Sequence, residues 1–427
     1  MTTSATTYRQ ILRAQPALIV IMLSVAGHMV MNGSMAPMLS VYASSFGVTE
    51  IAIGFVITVF GIGRLLADIP AGLLAEKHGR RTWLWLGPLI ASIGSIGAAL
   101  THNFDALVAF RFLQGIGSGI YMTVAAIVCA DVSTPATRGR VMALYQAAVL
   151  TGAGLGPAIG GISSDLWGPR MTFWISAAIA FSTTAYVLRC MPETRRSTTN
   201  HSHAAPSSSH GFGALAAVVT VLPLLMLLIV NFSIFFSRSG GQWTVLPLLG
   251  TARFNLSAST IGLALALSSF INLLVLPWAG TLGDRFGNTR IIVASSALTA
   301  VALVVVATAP NVPVFWLGTA LTGIAGSFVA PAIAAYAANH APNGEFGATM
   351  GVLRFGGDLG FVCGPVFLGT VLTVFNASHG GALVVNAAIV GITTLAFTFT
   401  LRRTRSSTRS VASTPSSTTP SPDPSST

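Results

Sequence analysis

Seven ionisable residues interrupt stretches of sequence that are otherwise apolar: His28, Arg64, Asp68, Arg111, Arg238, Arg354 and Asp358. Such side chains are costly in lipid and are functional candidates by default. Only two are acids. Asp68 lies toward the end of its run, so Asp358 is the one carboxylate near the middle of an apolar segment. Arg354, four residues earlier, shares its helix face. The chemistry open to this pair is reversible protonation. Low dielectric disfavours the carboxylate's charge, and a nearby guanidinium favours it. A bound molecule that displaced Arg354 would change which effect wins and move a proton. A permanent structural ion pair is the competing reading. Arg64 and Asp68 form a second i,i+4 pair, expected to serve structure or gating. His28 with Asn32, and Arg238 with Gln242, are also four apart, and the two pairs stand 210 residues from one another. They are read as lining one cavity from two sides, although a lone histidine can equally be satisfied by a neighbouring carbonyl. Tyr145, Trp243, Tyr336 and Phe355 are candidate aromatic walls or ordinary packing. Four arginines against two carboxylates make this interior net basic. It should prefer anionic, zwitterionic or neutral molecules over multivalent cations.

The elements that hold these residues must be membrane helices. The chain of 427 residues is 52% hydrophobic and 8% charged, with mean hydropathy +0.75. An average soluble domain is about a quarter charged. A net charge of +11 alone might suggest nucleic acid, but a nucleic-acid protein gathers its basic residues in a solvated patch. Here they punctuate apolar runs, and no nucleic-acid partner is expected. Spans need about 20 apolar residues. Twelve candidates fall near 16–42, 51–74, 83–101, 106–130, 141–164, 171–190, 214–249, 260–280, 291–309, 313–338, 347–374 and 381–401. The seventh is too long for one straight span and is expected to break or kink at Gly240-Gly241. No cleavage site precedes the first run, which is therefore read as a span and not a signal peptide. With the N-terminus inside, the loops expected in the cytoplasm hold sixteen of the 22 basic residues and the outer loops hold two, Arg170 and Arg253. That bias orients both termini to the cytoplasm. Residues 1–190 form one six-helix bundle, 191–212 a polar cytoplasmic linker, 213–403 a second bundle, and 404–427 a disordered Ser/Thr/Pro tail. His201, His203 and His210 are read as solvated linker, and Cys129, Cys190 and Cys363 form no disulfide or metal pattern. No metal or other cofactor is expected.

The halves repeat at an offset of 208. Gly54 meets Gly262, Gly72 meets Gly280, Glu76 meets Asp284 and Gly79 meets Gly287. Gly115 meets Gly323, and Gly152, Gly156, Pro157 and Gly161 meet Gly360, Gly364, Pro365 and Gly369. Parallel six-span repeats are a transporter architecture with the site between the halves near the midplane. The loop after span 2 must reverse within a few residues, and Gly79 permits a turn closed to other residues. Gly72 is expected to allow close helix approach. Lys77, Arg80 and Arg81 set topology, and Glu76 with that basic cluster can form ion pairs that exist in one conformation and break in the other; topology alone is the competing reading. On span 5, Gly152, Gly156 and Gly160 share a face that lets backbones approach, and Pro157 removes a helix hydrogen bond.

These residues resemble the major facilitator superfamily over 16–401. Gly72, Gly79, Arg80 and Arg81 match that family's cytoplasmic signature Gly-x-x-x-Asp-Arg-x-Gly-Arg-Arg, with Glu76 and Lys77 replacing Asp and Arg. The second copy keeps Asp284 and Arg285 and loses the trailing basic pair. Arg111, Gln114, Gly115 and Gly117 resemble a second signature, and Gly152-x-x-x-Gly156-Pro157-x-x-Gly160-Gly161 a third, which marks proton-exchanging exporters in the family. The resemblance implies an all-α membrane fold of twelve transmembrane helices in two pseudo-symmetric six-helix bundles. It implies a latch at the first signature that holds the outward-open state, and proton coupling at Arg111. The resulting expectation is a secondary transporter of the cytoplasmic membrane, not an enzyme. It would export small organic compounds such as drugs or metabolites against protons, and act as a monomer. Asp358, Arg354, Arg111 and His28 would couple protons. Asn32, Arg111, Gln114, Tyr145, Arg238, Gln242, Trp243, Tyr336, Arg354 and Phe355 would meet the substrate. Arg64, Asp68, the two signature loops and the span-5 motif would gate. An importer or facilitator of a small organic anion is the alternative, and a non-transporting receptor a third reading. One departure stands out: many drug exporters of this kind carry an acid in span 1, where this chain has His28 and Asn32.

Overall fold

The computed structural model describes residues 12, 15–134, 137–193, 222–340 and 346–412. Among these residues, twelve helices are long and apolar enough to cross a membrane. In order they are α1 Pro16–Ser44, α2 Glu50–His78, α3 Arg80–Leu100, α4 Phe104–Asp131, α5 Arg138–Trp167 and α6 Met171–Cys190 in the first half. The second half has α7 Leu222–Phe254, α8 Ala258–Phe286, α9 Asn288–Ala307, α10 Val312–His340, α11 Phe346–Val374 and α12 His379–Ala412. Helix α12 continues to Ala412, into the segment from 404 that reads as a tail in sequence. Residues 413–427 and the linker residues 194–212, with their three histidines, lie outside the described residues.

Local chemistry sets the helix ends. Thr49 and Ser257, one repeat apart, accept from the backbone N–H groups of Ala52 and Thr260 and so start α2 and α8. Gly79 and Gly287 hold φ of +95° and +86° at the turns into α3 and α9. A side chain at either position would be strained. The expected break in α7 is instead a change of winding. Residues Ser237–Val245 form a π-helix that includes Gly240-Gly241, and the Thr244 hydroxyl donates to the Ser239 carbonyl five residues back. Widening lets the helix continue where two glycines would otherwise weaken it, and such segments are frequent at functional sites.

Within each half, glycine faces bring helices together. Backbone of α1 (Ala26, Gly33, Ser34) lies where side chains at Gly152, Gly156 and Gly160 of α5 would go. Gly360 and Gly364 of α11 meet Phe232 and Phe236 of α7 in the same way. Between the halves there are two seams, α2 with α11 and α5 with α8, and the repeat relates them. A Cβ added at Gly54 would overlap the Pro365 carbonyl oxygen, and one at Gly262 would overlap that of Pro157. Gly369 likewise abuts the Glu50 carbonyl, and Gly161 that of Ala258. Polar contacts reinforce both seams. Thr58 donates to the Val362 carbonyl at 2.6 Å and Thr373 to Glu50 at 3.2 Å. The Asp165 carboxylate accepts from the backbone N–H groups of Ala258 (3.0 Å) and Ser259 (2.8 Å), capping α8 from the other half. All of these lie toward the end opposite the basic loops. Nearer the basic end, an added Cβ at Gly72 of α2 or Gly351 of α11 meets nothing within 4 Å. The close approach expected at Gly72 is therefore not made. The molecule is shut at the end opposite its basic loops.

The Asp165 cap yields a first test. Replacing it by Ala removes two charge-assisted bonds to an N-terminal dipole, an effect of about fivefold in the closing equilibrium by helix-cap magnitudes. Amide exchange at Ala258 and Ser259 should accelerate by that order, with Asp165→Asn intermediate. Unchanged exchange would mean that the cap contributes nothing to closure.

Candidate functional site

Three of the ionisable residues of the apolar runs, Arg64, Arg354 and Asp358, gather where the two halves meet. Arg64 projects from α2 and places Nη2 3.2 Å from Oδ1 of Asp358 on α11. Arg354, one turn before Asp358, puts Nε 4.0 Å from its other oxygen. One carboxylate is thus shared by two guanidiniums from opposite halves. The Asp358 side chain is 11% exposed, that of Arg64 25% and that of Arg354 48%. Arg354 therefore opens toward the basic end while Asp358 is shielded. Arg64 reaches across the seam to Asp358, and the expected Arg64–Asp68 ion pair is not formed. Asp68 instead accepts from the Thr123 hydroxyl of α4 at 2.7 Å. The reason is geometric: both lie on one face of α2, but α11 brings its acid closer to the guanidinium. Tyr145 of α5 is half-buried and packs against the apolar core of the first half.

A second group lies toward the closed end. Arg111 of α4 is 4% exposed. Its Nη1 donates to Gln114 Oε1 at 2.6 Å, and its guanidinium stands 4.6 Å from the centre of the Phe60 ring. Gln114 in turn donates to Ser95 at 2.8 Å. From the other half, Arg238 sits 5.7 Å from the Trp243 ring centre, and Trp243 meets Phe361 edge-on at 5.5 Å. Arg238 pairs with the residue five positions on, and not with Gln242 four on, because this part of α7 is wound as a π-helix. Gln242 is half-buried. Asn32, Ile57, Phe60 and Arg111 of the first half face Trp243 and Phe361 of the second across a cleft of about 10 Å³. That is about the room needed by one water molecule.

His28 lies deeper in the first half, fully buried. Its Nε2 meets the Ser118 hydroxyl at 3.0 Å, and its ring lies 4.5 Å from that of Tyr121. Asn32 donates to the same Ser118 hydroxyl at 3.3 Å. So His28 and Asn32 do share a face, but only Asn32 reaches the cleft. Two expected wall residues stand elsewhere. Tyr336 is buried in the second half, stacked on His340 at 3.9 Å and packed against Phe397. Phe355 is 49% exposed and joins no ring cluster among the described residues. Their places are taken by Phe60 and Phe361, which the sequence reading did not single out. Each is three or four residues from Arg64 or Asp358, a helical spacing that would have found them.

At the basic end, the first signature loop is tied within its own half. Arg80 Nε meets Asp131 Oδ2 at 3.1 Å. The backbone N–H groups of Arg80 and Arg81 donate to the Glu193 carboxylate at 2.9 and 3.3 Å, and Arg81 also donates to the Leu188 carbonyl. Glu76 is exposed and forms no ion pair among the described residues, so the expected Glu76 latch is not closed in this state. Lys77 lies in the last turn of α2. In the second loop Arg285 lies over the Phe286 ring; the Asp284 side chain is outside the described residues.

Twelve helices in two related sets, joined at ionisable and aromatic groups near mid-depth, define a secondary-transporter architecture. The family model of the Major Facilitator Superfamily matches residues 21–248 and 227–423, and the chain belongs to that superfamily. An uncharacterised transporter of this type from Methanocaldococcus jannaschii is 22% identical over 84% of this chain and 92% of its own length. The multidrug resistance protein Stp of Mycobacterium tuberculosis is 30% identical over 34% of this chain and 28% of its own. The quinolone resistance protein NorA of Staphylococcus aureus is 26% identical over 39% and 43%. Both resistance proteins are thus matched over less than half of their length. Among solved structures, the nucleoside transporter NupG aligns with TM-score 0.75 at 12% identity, covering 90% of this chain and 98% of that one. The human organic anion transporter TETRAN aligns with TM-score 0.65 at 20% identity, covering 90% and 99%.

Proposed function

We propose that this protein is a proton-coupled exporter of small organic compounds that works by alternating access. The basic loops and both termini face the cytoplasm, and the protein acts as a monomer. The observation that carries the reading is the Arg64–Asp358 pair, which joins the two halves at mid-depth through one titratable group. With Asp358 ionised, guanidiniums from both halves are drawn to it and the seam is tied. A proton on Asp358 removes that attraction, so proton movement is linked to the relative position of the halves. Arg354, half exposed toward the cytoplasm, is the guanidinium that a substrate entering from inside would reach first. The state described is closed outside and accessible inside, as an exporter loading its cargo would be. The span-5 motif and the resistance-protein relatives support export over import.

Import of a small organic anion is the second reading, favoured by the basic interior. Flux decides between them. Cells lacking their own pumps and expressing this chain should accumulate less of some compounds in a panel of anionic, neutral and cationic molecules, and a protonophore should reverse the effect. Raised accumulation, abolished by the protonophore, would instead establish import.

A further inference from the structure

We infer that the transported compound is an organic anion with one carboxylate on a flat apolar body, its charge held between Arg111 and Arg238. This rests on the reading above only in that the chain carries a small organic compound; the direction of transport does not enter. The charges within the spans do not balance. Asp358 is shared by Arg64 and Arg354, and Asp68 is held by Thr123. Among the described residues no acid pairs with the other two arginines. Arg111 is 4% exposed, yet its only hydrogen bond among the described residues is to the neutral amide of Gln114. Its Nε is buried with no partner. Arg238 has the Trp243 ring beside it and no ion pair among the described residues. The charge of Arg64 bears on Arg238 as well, adding repulsion.

A buried charge without a counter-ion is strongly destabilising. Contact with an aromatic face offsets part of that, and less than a carboxylate would. A passing anion would supply the missing counter-charge, and a guanidinium presents a fork that fits a carboxylate. The surroundings specify the rest of the molecule. Phe60, Trp243 and Phe361 line the cleft with Arg111, and Arg238 stands beside the Trp243 ring; aromatic walls favour a flat apolar body. Asn32 adds a buried carbonyl oxygen without a donor, which suits a hydroxyl or N–H on the same molecule. The cleft is collapsed here, but its walls belong to different halves, so their separation widens it. An organic cation would meet Arg111 there and gain nothing from either unpaired arginine.

The test is equilibrium binding to the purified full-length protein in lipid nanodiscs, with no gradient imposed. Three probes share one ring system and differ in charge: 2-naphthoate, 2-naphthamide and 2-naphthylmethylammonium. Naphthoate should bind at least about tenfold more tightly than the amide, the scale of a hydrogen bond to a charged group. Arg111→Gln and Arg238→Gln should each remove that preference, and Arg238→Lys should keep part of it. Melting temperature and gel filtration identify any variant that fails to fold, and the Arg238→Lys comparison then stands in its place. Equal or tighter binding of the amide or the ammonium would overturn the inference. So would preference for naphthoate surviving both Gln substitutions, or naphthoate failing to bind at millimolar concentration. Because no flux is measured, these failures leave the export reading intact, and a failure of export leaves this one intact.

Discussion

Asp358→Asn is expected to abolish uphill transport while leaving exchange of substrate across the membrane in place. Asparagine keeps the shape of the side chain and cannot gain or lose a proton in the working range. Arg64 and Arg354 then lose their shared counter-charge. For a fully buried pair that loss costs about 3–5 kcal/mol. Here both arginines are partly exposed, so the cost falls nearer the surface range of about 1 kcal/mol, and the variant should fold. Concentrative export in proteoliposomes should drop to background, at least about a hundredfold if proton linkage supplies all of the driving force. Counterflow of labelled substrate should persist, because alternation itself needs no net proton movement. Arg64→Gln separates the two roles of the pair: it keeps the proton site and removes the tie across the seam. It should retain protonophore-sensitive transport with a shifted balance between the two states. In stability, the double variant should be no worse than Asp358→Asn alone, since each single change already breaks the same interaction. A protonophore-sensitive gradient built by Asp358→Asn would remove Asp358 from the coupling role altogether.

The architecture was legible because it is written in periodicity. Apolar runs of span length place the helices, and glycines and prolines at one offset, Gly54 with Gly262 and Pro157 with Pro365, pair the halves. The face shared by Gly360 and Gly364 could be read from helical spacing, and it packs against α7 as that spacing implies. Partners across the seams were not legible. Arg64 and Asp68 are neighbours on one helix, and nothing in the chain says that an acid 294 residues after Arg64 lies closer to it. Winding was hidden too. Arg238 with Gln242 is the natural pair on an α-helix, and only the π-helical stretch turns Arg238 toward Trp243. Tyr336 shows the opposite limit: an aromatic in a membrane helix fits core or cavity equally, and its neighbours His340 and Phe397 decide for the core.

A large effect on closure is expected at the repeat-related glycines on the seams between the halves. Gly54→Ala and Gly262→Ala each drive a methyl group into a proline carbonyl of the facing helix. A flexible side chain could rotate away; a backbone carbonyl cannot, so the helices must part. Overpacking of this kind costs about 1–3 kcal/mol, paid only in the state closed at this end. The closing equilibrium should therefore shift by about five- to 150-fold toward opening on that side, and transport should fall with it. The controls lie on the α2–α11 seam, the one that holds Gly54. Gly72→Ala and Gly351→Ala meet open space, and in a helix the added methyl is favourable by up to about 1 kcal/mol. Neither change should open the end opposite the basic loops, because neither added methyl meets a neighbour in this state. Accessibility reads the shift directly. Ile57 lines the cleft and is 3% exposed. With Cys129, Cys190 and Cys363 replaced, Ile57→Cys should resist a membrane-impermeant maleimide applied from the side opposite the basic loops. Adding Gly54→Ala or Gly262→Ala should make it react. Continued protection at an unchanged transport rate would mean that the seams close elsewhere. Reaction without any loss of transport would mean that this end is not the barrier the substrate must pass.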